Sequence, residues 1–172
     1  FCLCAARSAI TINCISNIPK ATNIRSMRLI NYKAEHLDEL LAGDMDNLAR
    51  KSFGVAGDFA QSLDVPGMAF TAVENGHLIA SSGVQPLWKG VGEGWFVASS
   101  KMPQKKLTII RMIKDNFDNM IQDNSLVRVQ AGVRSDWPTA KRFAEFLGFE
   151  HEGIMRKYGP DGQDYYRMAR IK

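Results

Sequence analysis

Three segments near the end of the chain decide the fold. They are Leu126-Val127-Arg128-Val129-Gln130-Ala131-Gly132-Val133, then Trp137-Pro138-Thr139-Ala140-Lys141-Arg142-Phe143-Ala144-Glu145-Phe146-Leu147-Gly148-Phe149, then Gly153–Ile171. The first alternates, with Val127, Val129 and Ala131 on one face, and reads as a strand. The second reads as a helix: Asp136 is placed to cap it, and Pro138 suits its first turn. Gly148 stands where a left-handed helix terminus favours glycine. The third reads as two strands, Gly153–Tyr158 and Asp164–Ile171, about a turn at Pro160-Asp161-Gly162.

Upstream of this block, Leu107, Ile110, Ile113, Phe117, Met120 and Ile121 form the apolar stripe of a long helix that follows Ser99-Ser100, with Pro103 in its first turn. Glu93–Ala98 is a predicted strand and Pro86–Gly92 a glycine-rich loop. Met68–Val73 and His77–Gly83 are strands joined through Asn75-Gly76, a strong hairpin signal. Asp58–Leu63 reads as a short helix, Glu35–Lys51 as a longer one, and Arg28–Tyr32 as an opening strand. The element order is β α α β β β α β α β β. That order gives an α/β (α+β) architecture, a mixed central sheet of about seven strands flanked by about four helices.

The chain has 172 residues, the length of one domain, and 45% of them are apolar. No apolar run approaches the ~20 residues a membrane helix needs, so a water-soluble globular protein is expected, with no membrane partner. Residues 1–26 differ from the rest. They hold Cys2, Cys4 and Cys14, which are all three cysteines, and no acidic residue, and Met27 is the first methionine. Translation starting at Met27 is the favoured account. A targeting leader is the rival, given Arg7, Ser8, Lys20, Arg25 and Ser26 in an acid-free stretch. The single folded domain is therefore expected over residues 27–172. Arg7, Lys20 and Arg25 are three of the twenty-two basic residues, which leaves nineteen against eighteen acidic ones in that domain. So balanced a charge argues against nucleic acid as partner, despite Arg128, Arg134, Lys141, Arg142, Arg156 and Lys157 in the second half. The absence of cysteine from 27–172 excludes disulfides, thiolate metal sites and cysteine nucleophiles there, and no His/Asp/Glu cluster has metal-ligand spacing, so no metal is expected.

The motif Ala140-x-x-Phe143-x-x-x-Leu147-Gly148-Phe149, set in this element order, resembles the C-terminal half of GCN5-related N-acetyltransferases (GNAT). The resemblance implies acetyl-CoA lying in a V-shaped gap between the fourth and fifth strands, its pantetheine running along the fourth strand. The diphosphate would sit on backbone N–H groups at the start of the next helix. Phe96, Val97, Ser99, Lys105, Lys106 and Phe143 are then the expected cofactor-binding residues. The family's glycine-bearing phosphate loop, Gln/Arg-x-x-Gly-x-Gly/Ala, is replaced by Ser99-Ser100-Lys101-Met102-Pro103-Gln104-Lys105-Lys106, where lysines supply charge in place of glycine N–H groups. The family's helix asparagine falls at Trp137 and its tyrosine acid at Ala144, neither of which does that work. Tyr158 is the substitute acid carried forward, with Tyr165 and Tyr166 as alternatives, and Glu93 is the expected general base. His77 and His151 read as surface residues.

A second likeness runs through Val84–Phe96, Arg128-Val129-Gln130-Ala131 and Arg156–Gly162. These stretches are similar to acetyltransferase-like proteins of tailed phages, a group that includes T7-like internal virion and capsid-assembly proteins. Two readings follow. In the first the chain transfers acetyl from acyl-CoA to a small-molecule or protein amine in the cytoplasm. In the second it is a catalytically silent phage structural protein with virion partners, found in the host cytoplasm or the particle. Trp88, Trp95, Trp137 and Tyr158 would then mark contacts.

Overall fold

The Asn75-Gly76 pair adopts positive φ at both residues, 51° and 82°, and closes the hairpin its chemistry calls for. The computed structural model describes residues 27–43, 47–53, 58–100, 102 and 107–172. Their elements are β1 (Met27–Asn31), α1 (Ala34–Ala42), α2 (Asn47–Phe53), α3 (Asp58–Ser62), β2 (Ala69–Glu74), β3 (His77–Trp88), β4 (Val91–Ala98), α4 (Leu107–Asp123), β5 (Arg128–Arg134), α5 (Pro138–Phe146), β6 (Glu150–Met155) and β7 (Tyr165–Ile171). The strands form one mixed sheet in the order β1-β2-β3-β4-β5-β7-β6. All neighbours are antiparallel except β4 and β5, which are joined by the crossover through α4.

Four local expectations are corrected. The glycine-rich stretch Pro86–Gly92 is not a loop: β3 runs on to Trp88 and β4 begins at Val91. Only Gly90 there has positive φ, 78°, while Gly92 is a packing glycine whose Cβ would lie 2.3 Å from Val84 Cγ1. The helix expected over Glu35–Lys51 is two helices, α1 and α2. Trp137, not Asp136, is the N-cap residue of α5, because the Asp136 carboxylate accepts hydrogen bonds from Arg134. The β6 strand starts at Glu150, ahead of Gly153, and ends at Met155.

Alternation along the strands sends neighbouring residues to opposite faces. On one face Phe70, Ile79, Val84 and Val129 pack with Ile113, Phe117 and Met120 of α4 and Ala144 of α5. On the other, Val97 joins Leu37 and Leu40 of α1, Ala60 of α3, Tyr32 and Leu63. Leu37, Ile113 and Met168 are completely buried. Gly148 takes φ 89°, and the Phe149 N–H returns to the Ala144 carbonyl, so α5 stops where glycine permits it. Among the described residues no helix is long and apolar enough to cross a membrane.

Candidate functional site

The β4 and β5 strands pair only at Val91–Arg128, Gly92–Val129 and Glu93–Gln130. Beyond Glu93 they part. Gly94–Ala98 stays hydrogen-bonded to β3, and Ala131–Arg134 stays on β7, leaving a wedge between two strand edges. The Ser99 N–H donates to the Ile79 carbonyl on β3. The register is regular from Ala98 back to Gly94. Alternation along the strand therefore turns the peptide groups of Ala98, Phe96 and Gly94 toward the wedge. Under it, Phe96 meets Phe143 of α5 with ring centres 4.5 Å apart, so α5 spans both arms.

Glu93 sits at the apex. Both its carboxylate oxygens accept from Arg167 Nη1 at 3.3 Å, and Gln130 is its register partner on β5. Glu93 and Arg167 are about equally half-buried, 23% and 24% exposed. Burial pushes the Glu93 carboxyl above the ordinary glutamate value, although Arg167 and Gln130 pull the other way. The network continues outward: Arg128 Nε donates to Gln130 Oε1, and Arg128 Nη1 and Nη2 donate to Glu152. Arg167 reaches Glu93 across β5, where its register partner is Gly132, which has no side chain to obstruct it. Tyr158 stands over the same glycine, its Cε1 3.5 Å from where a Cβ would be, and its ring meets Tyr165 at 5.4 Å. Glu93, Gln130, Arg167 and Tyr158 therefore gather about the apex of the wedge. Trp95, on the Glu93 face of β4, packs against Tyr32 at 5.1 Å and holds its Nε1 buried with no hydrogen-bond partner among the described residues.

The remaining expected residues fall in distinct places. Phe96 and Phe143 come together. The Val97 side chain is 1% exposed and faces α1 and α3, and by the same alternation its N–H and C=O turn to β3. The Ser99 N–H and hydroxyl both donate to the Ile79 carbonyl, so its donors are engaged within the fold. Lys105 and Lys106 lie outside the described residues. Sequence reasoning missed Arg167, Gln130, Arg128 and Glu152 as a group. The available signal was the alternation in Arg128-Val129-Gln130-Ala131, which puts Arg128 and Gln130 on the polar face of β5.

No protein-family model and no curated protein matches the chain. Solved structures do. Ard1 from Thermoplasma volcanium superimposes with a TM-score of 0.68 at 15% identity, covering 85% of this chain and 97% of that one. A GNAT-family acetyltransferase from Bacillus anthracis gives 0.66 at 16% identity, covering 87% and 96%. Ribosomal-protein-S5-alanine acetyltransferase from Vibrio fischeri gives 0.62 at 15% identity, covering 88% and 96%. These likenesses bear on the acetyltransferase side of the sequence resemblance and not on its phage side. With the mixed seven-stranded sheet and the parted β4 and β5, they establish that this chain has the fold of the GNAT acetyltransferases.

Proposed function

We propose that this protein is an acyl-CoA-dependent N-acetyltransferase acting on an amine. The observation that carries the reading is the wedge. A row of backbone groups, from the Gly94 carbonyl through Phe96 and Ala98, has no strand partner among the described residues, although it lies inside the sheet and not at its border. Backbone groups in that state need partners. An extended amide-bearing arm such as pantetheine satisfies them as a strand would. The site fits acetyl-CoA at that end: Phe96 and Phe143 floor the arm, and Lys105 and Lys106 are assigned to the diphosphate.

Acetyl-CoA supplies an acetyl group activated as a thioester. The chain's own residues do the rest. Glu93, at the apex and with a raised pKa, takes the proton that the acceptor nitrogen loses. Arg167 holds its carboxylate in place, and Gln130 stands beside it. The Tyr158 hydroxyl is the proton source for the departing sulfur.

Titration calorimetry of acetyl-CoA into the full chain tests the reading, with Ala98→Pro as the variant. Proline there removes one wedge-facing N–H and leaves the β3 ladder intact. Micromolar binding is expected, weakened in the variant by about 1 kcal/mol, or roughly fivefold, with an unchanged circular dichroism spectrum. The Val97 side chain is unsuitable for such a test, because enlarging it disrupts the core under α1. No binding at millimolar acetyl-CoA overturns the transferase reading and leaves the fold as a scaffold, the structural role that the phage resemblance also implies.

A further inference from the structure

The arginines around the site differ in how fully they are used. Arg128 spends Nε, Nη1 and Nη2 on Gln130 and Glu152. Arg134 spends all three of its nitrogens on Asp136 and Asp161. Arg167 spends only Nη1, on Glu93; among the described residues its Nε and Nη2 have no protein partner. Those two nitrogens form the side of the guanidinium that matches a carboxylate in two parallel hydrogen bonds. The open side is toward β6. Arg167 is flanked in the sheet by Gly132 on β5, which Met155, Tyr158 and Tyr165 cover, and by Gly153 on β6, where a Cβ would meet nothing within 4 Å.

We propose that Arg167 binds the carboxylate of the acceptor, so that the acceptor is an α-amino acid held with its amine at Glu93 and its carboxylate on Arg167 Nε and Nη2. The proposal rests on the transferase reading and names its substrate class. The spacing agrees. In an α-amino acid the amine nitrogen lies only about 2.5 Å from the carboxyl carbon, and Glu93 and Arg167 are themselves in contact at 3.3 Å. The charges agree as well. The cluster holds two guanidiniums, Arg128 and Arg167, against two carboxylates, Glu152 and Glu93. A zwitterion leaves that balance unchanged, whereas a polyamine brings unmatched positive charge beside Arg167.

The test uses the full chain and the ¹H–¹⁵N signal of the Arg167 Nε–H, assigned by its loss in Arg167→Lys. The probes are the standard free α-amino acids, each with its α-carboxamide and its decarboxylated amine. At least one acid is expected to shift the signal, with its carboxamide and amine roughly tenfold or more weaker, because a site built for a polar group rejects the analogue lacking it. Arg167→Lys, with an unchanged thermal midpoint, is expected to lose that preference when the same acids and carboxamides are titrated into it by calorimetry. Carboxamides that bind as well as the acids, or no shift from any acid at millimolar concentration, overturn the proposal. Acetyl-CoA titrated into the same sample separates the two readings. Acid binding without acetyl-CoA binding removes the transferase and keeps the subsite. Acetyl-CoA binding with acids and carboxamides acetylated equally removes the subsite and keeps the transferase.

Discussion

Val97 and Glu93 lie on the same strand and the same face, yet their surroundings are opposite. Val97 is sealed at 1% exposure beneath α1 and α3, among Leu37, Leu40 and Leu63. Glu93 is half-exposed in a chain of charges that runs through Gln130, Arg128 and Glu152, with Arg167 on its other side. The sheet continues through both places, and what changes is the cover. Under the helices the sheet face is apolar and interchangeable with any well-packed core. Past the apex it carries titratable groups held by one another. Stability thus belongs to the first region, and the proposed chemistry to the second.

Predictions that break or sharpen this division follow in order of size. Leu37→Ala, in the covered half, is expected to lower unfolding stability by about 3 kcal/mol in urea titrations, since a completely buried leucine leaves a cavity. A loss below about 1 kcal/mol would mean that the helical cover is loosely packed. Glu93→Gln, in the other half, is expected to cut kcat by roughly a hundredfold without lowering the thermal midpoint. The sign follows from its raised pKa. The folded state binds that proton more tightly than the unfolded chain, so ionised Glu93 costs stability once pH exceeds the ordinary glutamate value, and glutamine escapes that cost. A fall in midpoint comparable to that of Leu37→Ala would erase the distinction between the two regions.

The acid limb of kcat/KM is expected above the ordinary glutamate range, and Arg167→Met should move it higher still, because Arg167 lowers the Glu93 pKa. A limb that stays in place in the variant would detach Arg167 from the base. The smallest effect concerns Arg134, 3% exposed, which holds Asp136 and Asp161 below the ordinary aspartate range. Stability from those pairs is present above the unfolded aspartate value and is lost as pH falls through the lowered folded values. Arg134→Met is expected to flatten that acid loss in urea midpoints taken from neutral to acid pH. The change is modest because both carboxylates sit at the surface.

Most of the fold was legible because its signals are local. The Asn75-Gly76 turn, the stripe of α4 and Gly148 after α5 each act within a few residues. The Pro86–Gly92 stretch misled because glycine has two uses. Gly90 turns the chain, but Gly92 is glycine because Val84 stands against it from the neighbouring strand, a contact no short window reveals. The helix cap misled because Asp136 is taken by buried Arg134 two residues earlier, whose guanidinium is in turn fixed by Asp161, 27 residues away. Glu93 was singled out from its strand position under the family resemblance. Its partner Arg167 lies 74 residues away and reaches it only because β7 inserts beside β5 and Gly132 leaves the path clear.

The wedge also bears on how far the sheet's unpaired edges are open to another chain. An unpaired strand edge at the border of a sheet is a template for another chain, and proteins usually blunt such edges with charge, proline or a bulge. Here β6, at the outer border, carries Glu150, His151 and Glu152 with a break in register, while the unblunted edges of β4 and β5 face each other inside the sheet. A second protein's strand would have to enter a slot bounded on both sides by backbone and floored by Phe96 and Phe143. Placing the open edges indoors keeps them available to a slender ligand and closed to aggregation.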